Sequence, residues 1–369
     1  MKLGIDVSTY FEMLQHNAKY YDGEKEVQPL DLFRENGVDI MRIRLWVDPY
    51  GEKGEPYLAG TCDLDNFIKL ASLAEDKGYS IMLDFHYSDF WADPGKQFIP
   101  KSWRNLNLDE LVNRVYYYTQ EVLNVAKGHG ISVSYIQVGN EITNGMLWPI
   151  GHLEDAEDGT RTNYDSLIRL LNAGIKACRE SYPKASLILH LEKSYDQVIY
   201  NEFFTNMVKA KVDFDVIGYS YYPYWHGTFE QFYANVDFCK KFKKRQMVVE
   251  LGYAFTAEDY IKHEHGGAQL VVSNDNLETL GFMQEYPISP EGQKRFTETF
   301  LRLAEKHGVE AVCWWEPIWI PGEGICWASN AGKEYIKSEN PSNRNEWANQ
   351  CLFDYEGRKL PAFDAFKTN

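Results

Sequence analysis

The chain has 369 residues, and 38 Lys and Arg against 54 Asp and Glu give it a formal net charge of −16. That balance repels phosphate backbones and leaves nucleic acid unsuited as a partner, while no run of about 18 apolar residues offers a membrane span. A hydrophobic fraction of 44% with 25% charged residues is ordinary for a folded globular protein. Six scattered cysteines, Cys62, Cys178, Cys239, Cys313, Cys326 and Cys351, form no CxxC pair, which removes a zinc finger or disulfide framework.

A strand is expected at once, over Leu3–Ser8. No apolar leader precedes it, so the protein is expected in the cytoplasm, or outside the cell if a leader has been removed. One joint then recurs: an amphipathic helix, a Gly near its end, and a short β-rich run. It reads LFRENG-VDIMRIRLW (32–46), LASLAEDKG-YSIMLDFH (70–86), VLNVAKGHG-ISVSYIQVGNE (122–141) and LRLAEKHG-VEAVCWWE (301–316). Gly37, Gly78, Gly130 and Gly308 fit the left-handed position that ends a helix. Further runs predict strands over Asp39–Trp46, Ser80–His86, Ser132–Glu141, Ser186–Leu191, Asp215–Tyr222, Gln246–Glu250 and Glu310–Glu316. Helices are predicted over Asp109–Lys127, Tyr164–Ser181, Phe229–Lys241 and Pro290–His307. The strands are apolar throughout rather than alternating, as parallel strands buried on both faces are. Eight alternating units predict an α/β fold, a single (β/α)₈ TIM barrel domain over residues 1–369. Its long loops follow strand seven (Leu251–Ser289) and strand eight (Pro317–Asn345), where length of that order signals function.

In such barrels the chemistry gathers at the carboxyl ends of the strands. Glu141 ends strand four behind Asn140, and Glu250 ends strand seven behind an apolar run, so both carboxylates project into one mouth. Two carboxyl groups about 5–5.5 Å apart are what a retaining glycosidase uses, one as acid and one as nucleophile. The two must titrate differently. Arg44 or Arg42 and Tyr222 are expected donors to Glu250, and Asn140 is placed for a sugar 2-hydroxyl. Asp84, His86, Asp89 and Asp93 surround the third strand end, His86 as an orienting residue rather than a proton carrier. Trp46, Trp91, Trp148, Trp225, Trp315 and Trp319 lie at or beyond strand ends, as a stacking floor for sugars or as plugs in the barrel top.

These residues fall within longer motifs: Gly4-x-Asp6-x-Ser8, RIRLWVDP (42–49), DFHYSDFWADPGKQ (84–97), QVGNEITNGMLWPIG (137–151), SYYPYWHG (220–227), VVE (248–250), YPISPEGQ (286–293) and WWEPIW (314–319). Together they resemble glycoside hydrolase family 53, the endo-β-1,4-galactanases, from Gly4 to about Phe366. The resemblance implies hydrolysis of β-1,4-galactan, the side chain of pectic type I arabinogalactan, with retention of configuration. It places the acid/base role on Glu141 and the nucleophile on Glu250. Asp84, His86, Asn140, Tyr222 and Trp315 come with it as residues around the cleaved sugar. The expected substrate-binding set is completed by Arg44, Asp89, Trp91 and Ser220.

Two departures stand out. Leu251 follows Glu250 where the family often has Thr, and the loop TAEDYIKHEHGGAQLVVSNDN (256–276) lacks the Asp/His/Asn run that binds calcium in many bacterial relatives. His263 and His265 beside Glu264 are read as a solvated loop. No cofactor or metal is therefore expected, with structural calcium kept as an open alternative. The partner is a galactan polysaccharide or oligosaccharide, and the protein is expected to be a monomer. Alternatives are another retaining barrel such as a β-1,4-mannanase or xylanase, and a carbohydrate-binding barrel without catalysis. A metal-dependent barrel would need an HxH pair at the first strand end, which here reads Asp6-Val7-Ser8.

Overall fold

The computed structural model describes residues 1–155, 161–261, 267–278 and 285–367. Eight parallel strands close into a barrel: β1 (Lys2–Asp6), β2 (Val38–Leu45), β3 (Ser80–Phe85), β4 (Val133–Val138), β5 (Ser186–Leu191), β6 (Val216–Tyr221), β7 (Arg245–Leu251) and β8 (Ala311–Trp315). Neighbours around the cylinder follow chain order, and β8 closes on β1 through pairs such as Ile5 with Trp314. The helices that return the chain are α1 (Pro29–Glu35), α2 (Leu64–Asp76), α3 (Leu108–Gly128), α4 (Tyr164–Ser181), α5 (Gln197–Lys209), α6 (Phe229–Cys239) and α7 (Pro290–His307). A 3₁₀ turn at Pro361–Lys367 takes the eighth place, and Phe363 stacks on Phe33 of α1 at 4.5 Å.

The strands are apolar on both faces for a reason visible in the packing. Ile40, Met82, Tyr135, Ile188, Val216 and Met247 point inward and fill the lower barrel, while their neighbours along each strand pack outward under the helices. Backbones approach closely there: a Cβ on Gly4 would lie 2.5 Å from Cys313 Sγ and 3.1 Å from Ile40 Cβ, so no larger residue fits without displacing β2 or β8. One pleat above this oily layer the inward positions turn polar, with Asp6, Arg42, Asp84, Gln137, His190 and Ser220 all buried. The site stands on that layer.

Helix ends follow local chemistry. Asn107 caps α3 and Glu110 returns the bond to its backbone, a reciprocal capping box. Ser289 accepts from Gly292 N ahead of Pro290 in α7, and all four joint glycines sit at φ between +79° and +88°.

Most predicted boundaries shift by a residue or two, and two of the shifts have a visible local cause. The fourth strand stops at Val138 rather than Glu141, because Gly139 (φ +86°) and Glu141 (φ +48°) leave the extended region. The helix at Phe229 ends at Cys239 and tightens into a 3₁₀ turn over Lys240–Phe242. A helix at Asn330–Ile336 within the connection after β8 had no expectation. Among the described residues no helix is long and apolar enough to cross a membrane.

Candidate active site

A cleft of about 450 Å³ opens over the carboxyl ends of the strands, and both Glu141 and Glu250 line it. Each reaches that position through a local irregularity. Along β7, Met247 and Val249 face the barrel interior, so strict alternation would turn Glu250 outward with Val248. The pairing to β6 instead skips one residue, from Val248–Tyr219 to Glu250–Ser220, and this bulge re-aims the carboxylate inward. Glu141 sits beyond the end of β4 in the left-handed region, a conformation that costs energy in a residue with a side chain and that clusters at functional sites.

One hydroxyl ties the pair together. Ser220 Oγ lies 2.6 Å from Glu141 Oε1 and 3.4 Å from Glu250 Oε2, which bounds the separation of those two oxygens at about 6 Å. The spacing is that of carboxyl groups able to act on one anomeric carbon.

Their surroundings differ. Glu250 faces the fully buried guanidinium of Arg42 at 2.9 Å and accepts the Tyr222 hydroxyl at 2.8 Å. Burial raises its pKa, and Arg42 and Tyr222 pull it back. Among the described residues Glu141 has no cation at this range: burial, then the charges of Glu250 and Glu192, drive its pKa well up, against one hydroxyl contact from Ser220. These surroundings favour the proton on Glu141 and the negative charge on Glu250.

The polar layer beneath fixes these groups. Arg42 also pairs with Asp6 Oδ2 at 2.8 Å and Asp84 Oδ2 at 2.7 Å. Asn140 Oδ1 receives Arg42 and Gln137, and His190 Nδ1 lies 3.0 Å from it. Asn140 Nδ2 donates to Ala92 O, with its second hydrogen remaining for the cleft. His86 is held at both nitrogens. Its Nδ1 accepts from Trp46 Nε1 and its Nε2 faces Asp84 at 3.1 Å.

Of the expected substrate-binding residues, His86, Trp91, Asn140, Tyr222 and Trp315 line the cleft. Asp84 and Ser220 are buried directly behind them. Arg44 and Asp89 do not belong to the lining. Of the two arginines expected as donors to Glu250, Arg42, in register with Asp6, is the one that reaches it. Arg44, one pleat higher, turns away to Glu316 and the Ala59 carbonyl and lies under the tryptophans, 4.7 Å from the Trp91 ring centre. Asp89 accepts from the backbone of Lys101 and shapes the connection after β3.

The tryptophans divide between the two roles the sequence left open. Trp46 and Trp319 are fully buried plugs. Trp148 sits in a separate hollow with Phe98 and Tyr335, and Trp91, Trp225 and Trp315 face the cleft. Cleft residues that the sequence reading missed include Glu192, Lys193, Tyr195, His226, Trp327 and Trp347. A signal existed for Glu192 alone, since it keeps the inward parity of Ile188 and His190 one step past β5.

The calcium question falls on the loop after β7, where residues 262–266, with His263, Glu264 and His265, lie outside the described residues. Among the described residues no group of three or more His, Cys, Asp or Glu side chains is placed to hold a metal.

A parallel barrel with paired carboxylates of unequal basicity beneath an aromatic cleft defines a glycoside hydrolase. The chain belongs to Glycosyl hydrolase family 53, whose sequence model matches residues 2–366. A protein of Niallia circulans, described as an uncharacterized protein in the bgaB 5′ region, is 34% identical over 371 residues, covering 99% of this chain and 93% of its own length. The endo-beta-1,4-galactanase of Bacillus subtilis is 30% identical over 391 residues, covering 99% and 85%. The solved GH53 catalytic domain of Ignisphaera aggregans superposes with a TM-score of 0.87 at 35% identity, over 99% of this chain and 94% of that one.

Proposed function

We propose that the protein hydrolyses β-1,4-galactosidic bonds in galactan, or in oligosaccharides derived from it, by double displacement. Glu250 attacks the anomeric carbon as the bond to the leaving sugar breaks, and the proton of Glu141 passes to the departing oxygen. Water then adds to the anomeric carbon and gives its proton to Glu141, while the bond to Glu250 breaks and restores the carboxylate. The observation that carries this reading is the Ser220 hydroxyl in reach of both carboxylates, with Arg42 bonded to Glu250 alone of the two. The galactan assignment draws its support from the name of the Bacillus subtilis relative.

In this reading His86, Trp91, Asn140, Tyr222 and Trp315 hold the sugar at the point of cleavage. Asp84 and Ser220 position them from behind, and Arg44 and Asp89 support the walls. The steps draw on carboxylates, a guanidinium and hydroxyl groups, so no cofactor is called for. Residues 1–369 act as one catalytic domain, a reading supported by the family match over residues 2–366, and as a monomer.

The test is reducing-end release from linear galactan beside mannan and xylan, with NMR observation of the first-formed anomer. Galactan is expected to be cleaved fastest, giving the β-anomer first. A higher rate on mannan or xylan would overturn the substrate, and an α-anomer formed first would overturn the mechanism.

A further inference from the structure

Outside the catalytic cleft a second hollow, of about 350 Å³, opens between the helix Tyr10–Gln15 that follows β1, the connection after β2 and the first turn of α2. Its size falls within the range of about 300–1,000 Å³ common to small-molecule sites. Among the described residues it shares no lining side chain with the cleft. Arg44 stands between the two: it lies under Trp91 and Trp315 and donates to Ala59 O, beside Gly60 of the hollow.

Among the side chains that line this hollow Glu12 alone is buried, at 5% exposure. Its Oε2 accepts from Gly60 N at 2.8 Å, and its Oε1 has no hydrogen-bond partner among the described residues. The neighbouring carboxylate is already engaged, because Asp63 accepts from the Tyr50 hydroxyl at 2.6 Å and from Asn66 N at 2.8 Å. Asn66 Nδ2 is likewise spent on Thr61 O. A buried acceptor without a donor is costly, so the oxygen of Glu12 calls for a partner from outside the chain. The backbone that holds it stays left-handed through four residues in a row, Leu58, Ala59, Gly60 and Thr61, and strain of this kind clusters at ligand clamps.

The chemistry of the hollow selects among ligands. An anion would meet Glu12, Asp63 and Asp65. A metal ion lacks a ligand set, since among the described residues no group of three or more His, Cys, Asp or Glu side chains is placed to hold one. A neutral sugar fits both features present: a hydroxyl donates to Glu12 Oε1, and the half-buried rings of Phe11 and Tyr50 offer surface for the C–H face of a pyranose. Burial pushes the Glu12 carboxyl up to about 7, and a hydroxyl complements its neutral form as well as its charged one, which a cation does not.

We propose that the hollow around Glu12 is a second carbohydrate site, separate from the catalytic cleft, that holds one sugar unit of a long galactan chain on the enzyme. The identity of the sugar rests on the galactanase reading. Such binding is equal in ground and transition states, so its loss raises KM on the polymer and leaves kcat unchanged.

The experiment uses enzyme whose cleft is closed by a 2-deoxy-2-fluorogalactosyl group trapped on Glu250, titrated calorimetrically with galactotetraose. The trapped wild type binds about one tetraose per chain with a Kd of about 1 mM. Glu12→Gln, which removes the charge, and Gln15→Trp, which fills the hollow from its exposed rim, each weaken this binding about tenfold. In the free enzyme both variants raise KM on polymeric galactan and keep wild-type kcat/KM on galactotetraose at the low concentrations where the second site is unfilled. Absence of binding to the trapped wild type, binding that both variants retain, or calcium ion bound at Glu12 in place of the sugar overturns the proposal and leaves the galactanase reading intact. A wild-type enzyme that does not cleave galactan sinks that reading and this inference with it.

Discussion

Arg42 is enclosed by Asp6, Asp84 and Glu250 with no exposed surface, so three carboxylates share this guanidinium. Removing one partner of such a buried set leaves uncompensated charge and typically costs about 3–5 kcal/mol. Arg42→Met is therefore expected to lower the unfolding midpoint on that scale and to remove nearly all activity, because Glu250 loses the cation that keeps it ionised. Denaturant unfolding and steady-state rates check this, and a variant of wild-type stability would contradict the network as described. Glu12 offers the pH counterpart. It is buried against Gly60 N, and burial pushes its carboxyl up to about 7. The folded protein thus holds this proton to higher pH than the unfolded chain does, so its contribution to stability is full below the usual carboxylate pKa and is lost as pH rises to about 7. Glu12→Gln should flatten the pH dependence of the thermal midpoint across that window and exceed the wild type at pH 8. An unchanged slope would place the ionisation elsewhere.

At the scale of elements, the recurring helix–glycine–strand joint made the barrel legible before any coordinates. The residue types that end a helix and those that bury a strand on both faces are local properties, and Tyr164–Ser181 and Pro290–His307 coincide with α4 and α7 to the residue. Gly308 tests the joint itself. It sits at φ +79° with nothing within 4 Å of an added Cβ, so Gly308→Ala meets no clash and only the conformational cost, about 1 kcal/mol. Equal stability of variant and wild type would show that the joint tolerates another backbone geometry. What periodicity could not reveal was where backbone leaves its regular path. The overshoot of the fourth strand to Glu141 and the bulge that turns Glu250 inward both depend on pairing between strands. The choice between Arg42 and Arg44 likewise required the register of β2 against β1, since both residues share one face of the strand.

Across the whole molecule, the site joins residues from every part of the chain. Strand ends could be listed from sequence, and Glu141, Glu250, Asn140, Tyr222 and Trp315 all line one cleft. Residues carried on connections, such as Trp327 and Trp347, could not be placed, because a loop's path is set by what it packs on rather than by its own pattern. The closed order of the eight strands is what brings two glutamates far apart in the chain to within reach of one hydroxyl. The most direct test of that pairing is azide rescue of Glu250→Ala on an activated aryl β-galactoside. The account predicts near-complete loss of turnover without azide, its return with azide, and an α-galactosyl azide product, because the small anion occupies the place of the missing carboxylate. Near-normal activity of the variant without azide, or β-galactosyl azide as the product, would contradict it.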